Sequence, residues 1–123
     1  MTAWKRSLVR VKPNKVFSLL GLATKAGRTV SGEFMTEKAV KEGKAGLVIA
    51  GTDASANTKK NFRNMCGFYK VPYYEYGTKE ELGHAMGKEM RASLAVIDDG
   101  FAKSLKKHLE DAVNETEVAA WQK

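Results

Sequence analysis

The side chains in this sequence best suited to chemistry are cations set beside an aromatic or a thioether, and they fall in two short segments. In the run Gly32 to Lys41, Phe34, Lys38 and Lys41 recur at i, i+4 and i+7, one face of a helix, while Met35, Ala39 and Val40 fall on another face that is expected to point inward. Two roles are open to Phe34. It packs under a neighbouring loop with the lysines merely solvated, or it stacks on a base or sugar while the lysines meet phosphates. The second role would use a helix start, where free N–H groups attract anions and Gly32 permits close approach, and residue type and spacing leave the two roles equally open. The second segment is Gly87-Lys88-Glu89-Met90-Arg91-Ala92, between a helix stop and an apolar strand. Met90 either tucks into the core or covers an unstacked base beside Arg91.

Other chemistries find less support. His84 and His108 lie on separate helices, away from any Cys/His/Asp cluster with metal-ligand spacing, so surface histidines are expected and no metal. No nucleophile elbow or phosphate loop frames the Ser, Asp and His residues, and Gly27 to Gly32 (GRTVSG) lacks the glycine pattern of a dinucleotide site. Asp98-Asp99 directly precedes a helical pattern, where capping is the ordinary role of a carboxylate. A small enzyme holding a phosphorylated ligand at the helix starts of Gly32, Asp53 and Gly100 would need a positioned acid/base pair, and none is visible. No cofactor is expected.

These segments need a scaffold, and 123 residues suffice for one domain with a real core. Hydrophobic residues make up 43% and charged residues 28%, the balance of a folding chain rather than a disordered one. The net charge of +7 favours a polyanionic partner, nucleic acid ahead of an anionic membrane surface. Lone Cys66 supports neither a disulfide scaffold nor a thiolate zinc site, so a reducing cytoplasm is expected. No apolar run approaches the roughly 20 residues of a bilayer span, and no signal-like run follows the basic start, which predicts neither insertion nor export.

Residues 1–13 read as a basic arm, with room for one short strand, carrying Lys5, Arg6, Arg10 and Lys12. From Asn14, a candidate N-cap, Val16, Leu19, Leu20 and Ala23 mark a helix stopped by Gly27. A strand over 28–31 and a helix from Gly32 to about Glu42 follow. Leu47 to Ala50 reads as a strand buried on both faces. The next helix carries Phe62, Met65, Cys66 and Tyr69 inward, is capped by Asp53 or Ser55, and ends at Val71-Pro72. Tyr73 to Tyr76 is strand-like, and Thr78 to Glu81 has capping-box spacing for a helix that turns Leu82 and Met86 inward and stops at Gly87. Ser93 to Ile97 is a second apolar strand, followed by a helix with Phe101, Ala102, Leu105 and Leu109. Residues 110–123 are three charges negative, which leaves ten positive charges in excess on residues 1–109. They are read as the frayed, acidic end of that helix, in which Trp121 has no patterned partner. Helices alternating with short strands predict an α/β layered sandwich.

Four segments in order, KVFSLLGLATKAGRTVSGE, KAVKEGKAGLVIAGTDAS, KVPYYEYGTKEELGHAMGKE and RASLAVIDDGFAK, resemble the kink-turn RNA-binding ribosomal protein family of archaeal L-seven-Ae and eukaryotic L-thirty-e, most of all its bacterial YlxQ-like branch. The resemblance spans about residues 14–105. It implies a three-layer α/β/α sandwich around a small four-stranded mixed sheet, a domain over 14–109, no enzymatic activity, and structured RNA as the partner, ribosomal or other noncoding. DNA and membrane partners are not expected, and a monomer is. The RNA-binding residues it implies, joined with those found above, are Arg28, Gly32, Glu33, Phe34, Lys38, Lys41, Lys79, Lys88, Glu89, Met90 and Arg91. Gly32 and Lys38 match the family's Gly and Lys, Lys79 matches a phosphate-facing Lys, and Glu89-Met90-Arg91 occupies the loop that covers a flipped nucleotide. Phe34 and Met35 stand where strong kink-turn binders carry Asn and Glu, so base reading at sheared G·A pairs is not expected from them. A protein-interaction adaptor on the same fold is the alternative reading, to be told apart by weak, salt-insensitive RNA binding.

Overall fold

The computed structural model describes residues 14–121; the basic arm expected over 1–13 lies outside the described residues. Five helices and four strands follow one another among these residues: α1 (Lys15–Lys25), β1 (Thr29–Ser31), α2 (Glu33–Lys41), β2 (Leu47–Ala50), α3 (Ala56–Tyr69), β3 (Tyr73–Glu75), α4 (Lys79–Ala85), β4 (Ser93–Val96) and α5 (Asp99–Trp121). Local chemistry sets most boundaries. The Asn14 side chain accepts from the Phe17 N–H at 3.1 Å, Ser55 from Thr58, and Asp98 from Phe101 at 2.9 Å. Thr78 and Glu81 close a full capping box at the start of α4.

The sheet order is β1-β4-β2-β3, with β4 antiparallel to both neighbours and β2 parallel to β3. Side chains alternate along the strands, so each face of the sheet receives its own helices. Leu47, Ile49, Leu94 and Val96 meet Val16 and Leu20 of α1, Leu82 of α4, and Leu105 and Leu109 of α5. Val48 and Ala95 point the other way, to Ala39 and Val40 of α2 and Phe62 and Cys66 of α3. This is the three-layer α/β/α sandwich with a four-stranded mixed sheet.

Two side chains depart from the expected periodicity. Met35 is 43% exposed, because α2 docks through Thr36, Ala39 and Val40, and Met35 sits a residue off that stripe among Val30, Lys38 and Ile97 at the β1 edge. Tyr69 is likewise exposed, since α3 ends there and the chain leaves through a left-handed Lys70 (φ 60°), the Val71 N–H bonding back to the Cys66 carbonyl. Of the two cap candidates for α3, Ser55 takes the role and Asp53 does something else, described below. His84 is exposed and His108 half-buried. The helix α5 continues to Trp121, and the Glu110 carboxylate accepts from the Tyr74 hydroxyl at 2.9 Å.

Core truncation should therefore be costly at fully buried positions. Leu105→Ala and Phe62→Ala are expected to lower unfolding stability by about 2–5 kcal/mol in denaturant melts, while Tyr69→Ala stays within about 0.5 kcal/mol of the unsubstituted protein.

Candidate nucleic-acid interface

Because β4 runs against the other three strands, its N-terminal residue Ser93 lies at the same end of the sheet as Ser31, Ala50 and Glu75, the last residues of β1, β2 and β3. Four connections consequently meet there: Gly32, the segment 51–55, the segment 76–78 and the loop 86–92. They are bonded to one another. The Gly32 N–H donates to the Ser93 carbonyl at 3.0 Å, the Gly51 N–H to Ala92 at 2.9 Å, the Thr52 N–H to Gly77 at 2.8 Å and the Arg91 N–H to Lys79 at 3.0 Å. Asp53 accepts from the Lys79 backbone N–H at 2.8 Å, locking the start of α4 to the 51–55 segment.

The two segments singled out from sequence are brought side by side through Ser31, the residue before the first of them. Arg91 Nε donates to Ser31 Oγ at 3.0 Å, one residue before Gly32, and Arg91 Nη1 donates to the Met90 carbonyl at 2.9 Å. Arg91 thereby ties β1 to the loop and stiffens the backbone carrying Met90. Gly32 has φ 90° and ψ 155°, a conformation essentially reserved for glycine, and it turns the chain from β1 into α2 with no side-chain cap on the free N–H groups of the first turn.

Phe34 is 75% exposed and Met90 61%, so neither is a core residue. Among the described residues Lys38, Lys79 and Lys88 form no ion pair. Glu33 is engaged by Thr58, whose hydroxyl donates to its carboxylate at 3.4 Å, and Glu89 is exposed on the loop. Two expected members lie elsewhere. Arg28 is at the opposite end of β1, 4.0 Å from Asp98 at the start of α5. Lys41 is at the far end of α2, where a hydrogen bond and the charge of Glu37, at 3.0 Å, raise its pKa. What gathers is Gly32, Phe34, Lys79, Met90 and Arg91 with flanking Glu33, Lys88 and Glu89; Lys38 is one turn along α2.

Sequence reasoning missed the supporting roles of Ser31, Asp53 and Gly83. Ser31 and Asp53 act through contacts across 60 and 26 positions in the chain, which no local pattern carries. Gly83 left a signal, a glycine inside a short helix. A methyl group there would overlap the Glu89 carbonyl oxygen, and the Lys88 N–H reaches the Gly83 carbonyl at 2.8 Å, so the loop backbone lies directly on α4.

Burial pushes the Cys66 thiol up to about 11, which keeps it protonated at neutral pH. Among the described residues no group of three or more His, Cys, Asp and Glu could hold a metal ion, and no helix is long and apolar enough to cross a membrane.

The domain is thus an α/β/α sandwich whose loops and helix starts meet at one sheet end, where Phe34 and Met90 are exposed beside side chains of both charges. Residues 14–106 match the Ribosomal protein L7Ae/L30e/S12e/Gadd45 family, and the chain belongs to it. It is 45% identical over 89 residues to the RNA-binding protein YlxQ of Bacillus subtilis (strain 168), covering 72% of this chain and 89% of that protein. The large ribosomal subunit protein eL30 of Methanoregula boonei is 38% identical over 82 residues, 63% of this chain and 79% of that one. A solved protein with unknown function from Bacillus halodurans C superposes with a TM-score of 0.78 at 39% identity, covering 80% of this chain and 99% of its own.

Removing the glycine contact should free the loop without unfolding the domain. In Gly83→Ala, hydrogen exchange at the Lys88 amide is expected to speed up markedly while amides around Leu105 keep their protection. Phe34→Ala and Met90→Ala should each shift unfolding stability by no more than about 0.5 kcal/mol.

Proposed function

We propose that this chain is a non-catalytic RNA-binding protein that holds a structured, kinked or looped RNA at this sheet end. The observation that carries the reading is the Arg91–Ser31 bond at 3.0 Å, which sets the glycine-led start of α2 beside the Met90 loop on one surface. Each half then has a distinct job. Lys38, Lys79, Lys88 and the open N–H groups after Gly32 meet phosphates and fix orientation, while Phe34 and Met90 cover bases that a bend has unstacked. Phe34 and Met35 in place of Asn and Glu offer aromatic and thioether surface rather than hydrogen bonds to guanine edges, so recognition rests on shape. That favours bent RNA over regular DNA, whose stacked bases present nothing for an exposed Phe to cover.

The partner is a ribosomal or other noncoding RNA, bound by a monomer in the cytoplasm. The basic 1–13 arm adds charge to the 14–109 domain, and the acidic stretch 110–123 opposes RNA weakly, since exposed charges are screened over about 8 Å at physiological salt.

Fluorescence anisotropy with a kink-turn hairpin RNA across a salt series tests the proposal. The log–log slope should steepen by about 0.9 for each phosphate neutralised on a duplex, and Lys38→Ala and Lys79→Ala should each reduce it by about one. Phe34→Ala should leave the slope intact and lose roughly 1–3 kcal/mol of binding. An affinity unchanged between low and physiological salt would contradict the reading.

A further inference from the structure

We propose that the solvent face of α3 is a second RNA contact, a track for a single-stranded segment flanking the RNA held at the sheet end; it rests on the RNA reading above. Lys60, Asn61, Asn64, Gly67 and Phe68 are all exposed and fall at i, i+1, i+4, i+7 and i+8, so they form one broad stripe along the helix. Three of them weaken the helix with no return inside the fold. Asn61 and Asn64 are poor helix formers in mid-helix positions, and their side chains make no hydrogen bond among the described residues. Gly67 is poorer still. A methyl group there would meet nothing within 4 Å, and its backbone is helical, so neither a turn nor close packing within the chain calls for glycine.

The chemistry of the stripe is that of a strand of unpaired nucleotides. Amide side chains offer donors and acceptors to base edges and ribose hydroxyls, and the bare Gly67 lets a sugar or base approach the helix backbone. Phe68, 79% exposed, is braced edge-on by Tyr69 with ring centroids 5.0 Å apart, which holds an aromatic face ready for stacking. Charge commits the occupant to a polyanion. No Asp or Glu occurs from Ala56 to Tyr69, and Lys60 and Lys70 form no ion pair among the described residues. Arg63, by contrast, is taken by Glu75 at 3.0 Å, and lies off the stripe. The track is continuous with the sheet end, because the Thr58–Glu33 bond sets the start of α3 against the start of α2. From Lys60 to Phe68 it runs about 12 Å along the helix, more than one nucleotide.

The test uses the full chain and two probes: a kink-turn hairpin RNA, and the same hairpin with a tail of about eight uridines at each end. The unsubstituted protein should bind the tailed probe about tenfold more tightly. The triple variant N61A/N64A/G67A should melt at a higher temperature, as alanine favours the helix, yet lose most of the tail gain; Phe68→Ala should lose it as well, and both should bind the untailed hairpin normally. Equal affinity of the unsubstituted protein for the two probes, or an undiminished tail gain in the variants, overturns the track and leaves the sheet-end site standing. Failure of the unsubstituted protein to bind the untailed hairpin overturns the sheet-end site and the track with it.

Discussion

The insertion of β4 between β1 and β2, antiparallel to both, is the constraint on which the rest of this structure depends. Its residues Ser93 to Val96 are fully buried and hydrogen-bonded along both edges, so the strand cannot shift without breaking two ladders and both hydrophobic layers. Its direction delivers the loop before it to the end of the sheet where β1, β2 and β3 finish. Only Gly32 lies between β1 and α2, so Gly32 and Arg91 become neighbours although they are 59 positions apart in sequence.

The connections at that end are joined by backbone and side-chain hydrogen bonds. Two glycines matter for different reasons. Gly32 supplies a dihedral combination closed to other residues, and Gly83 lets a loop backbone rest on a helix. Phe34 and Met90 remain largely exposed at this end. The separation of charges fits the same picture. Lysines near the meeting point are unpaired among the described residues, whereas Arg28 and Lys41, further away, sit beside acids.

Much of the fold was legible because its signals are local. The Asn14 cap, the Thr78–Glu81 capping box, the unbroken Leu47–Ala50 run and the Asp98 cap each act over a few residues and each appears where expected. Periodicity failed where a helix meets the margin of its neighbour. Met35 shares the spacing of Ala39 and Val40, but the sheet receives Thr36 instead, and the helical period alone does not fix which edge of an apolar stripe is covered. Asp53 and Ser55 both read as candidate caps because each is a capping residue type ahead of the helix; Ser55 takes the role, and the Asp53 carboxylate accepts from the Lys79 N–H 26 positions away. The site was legible as two separate segments from residue type and family resemblance. Their meeting was not, since it follows from strand order, and Arg28 and Lys41 showed that cationic character alone does not place a residue there.

The most direct test of the central claim is an amide NMR titration of the full chain with a kink-turn hairpin RNA. The largest shift changes are expected on Gly32, Phe34, Lys79, Met90 and Arg91, saturating together as one surface responding to one ligand. Changes centred instead on the α1–α5 face, or a loop and an α2 start that respond at different RNA concentrations, would contradict it.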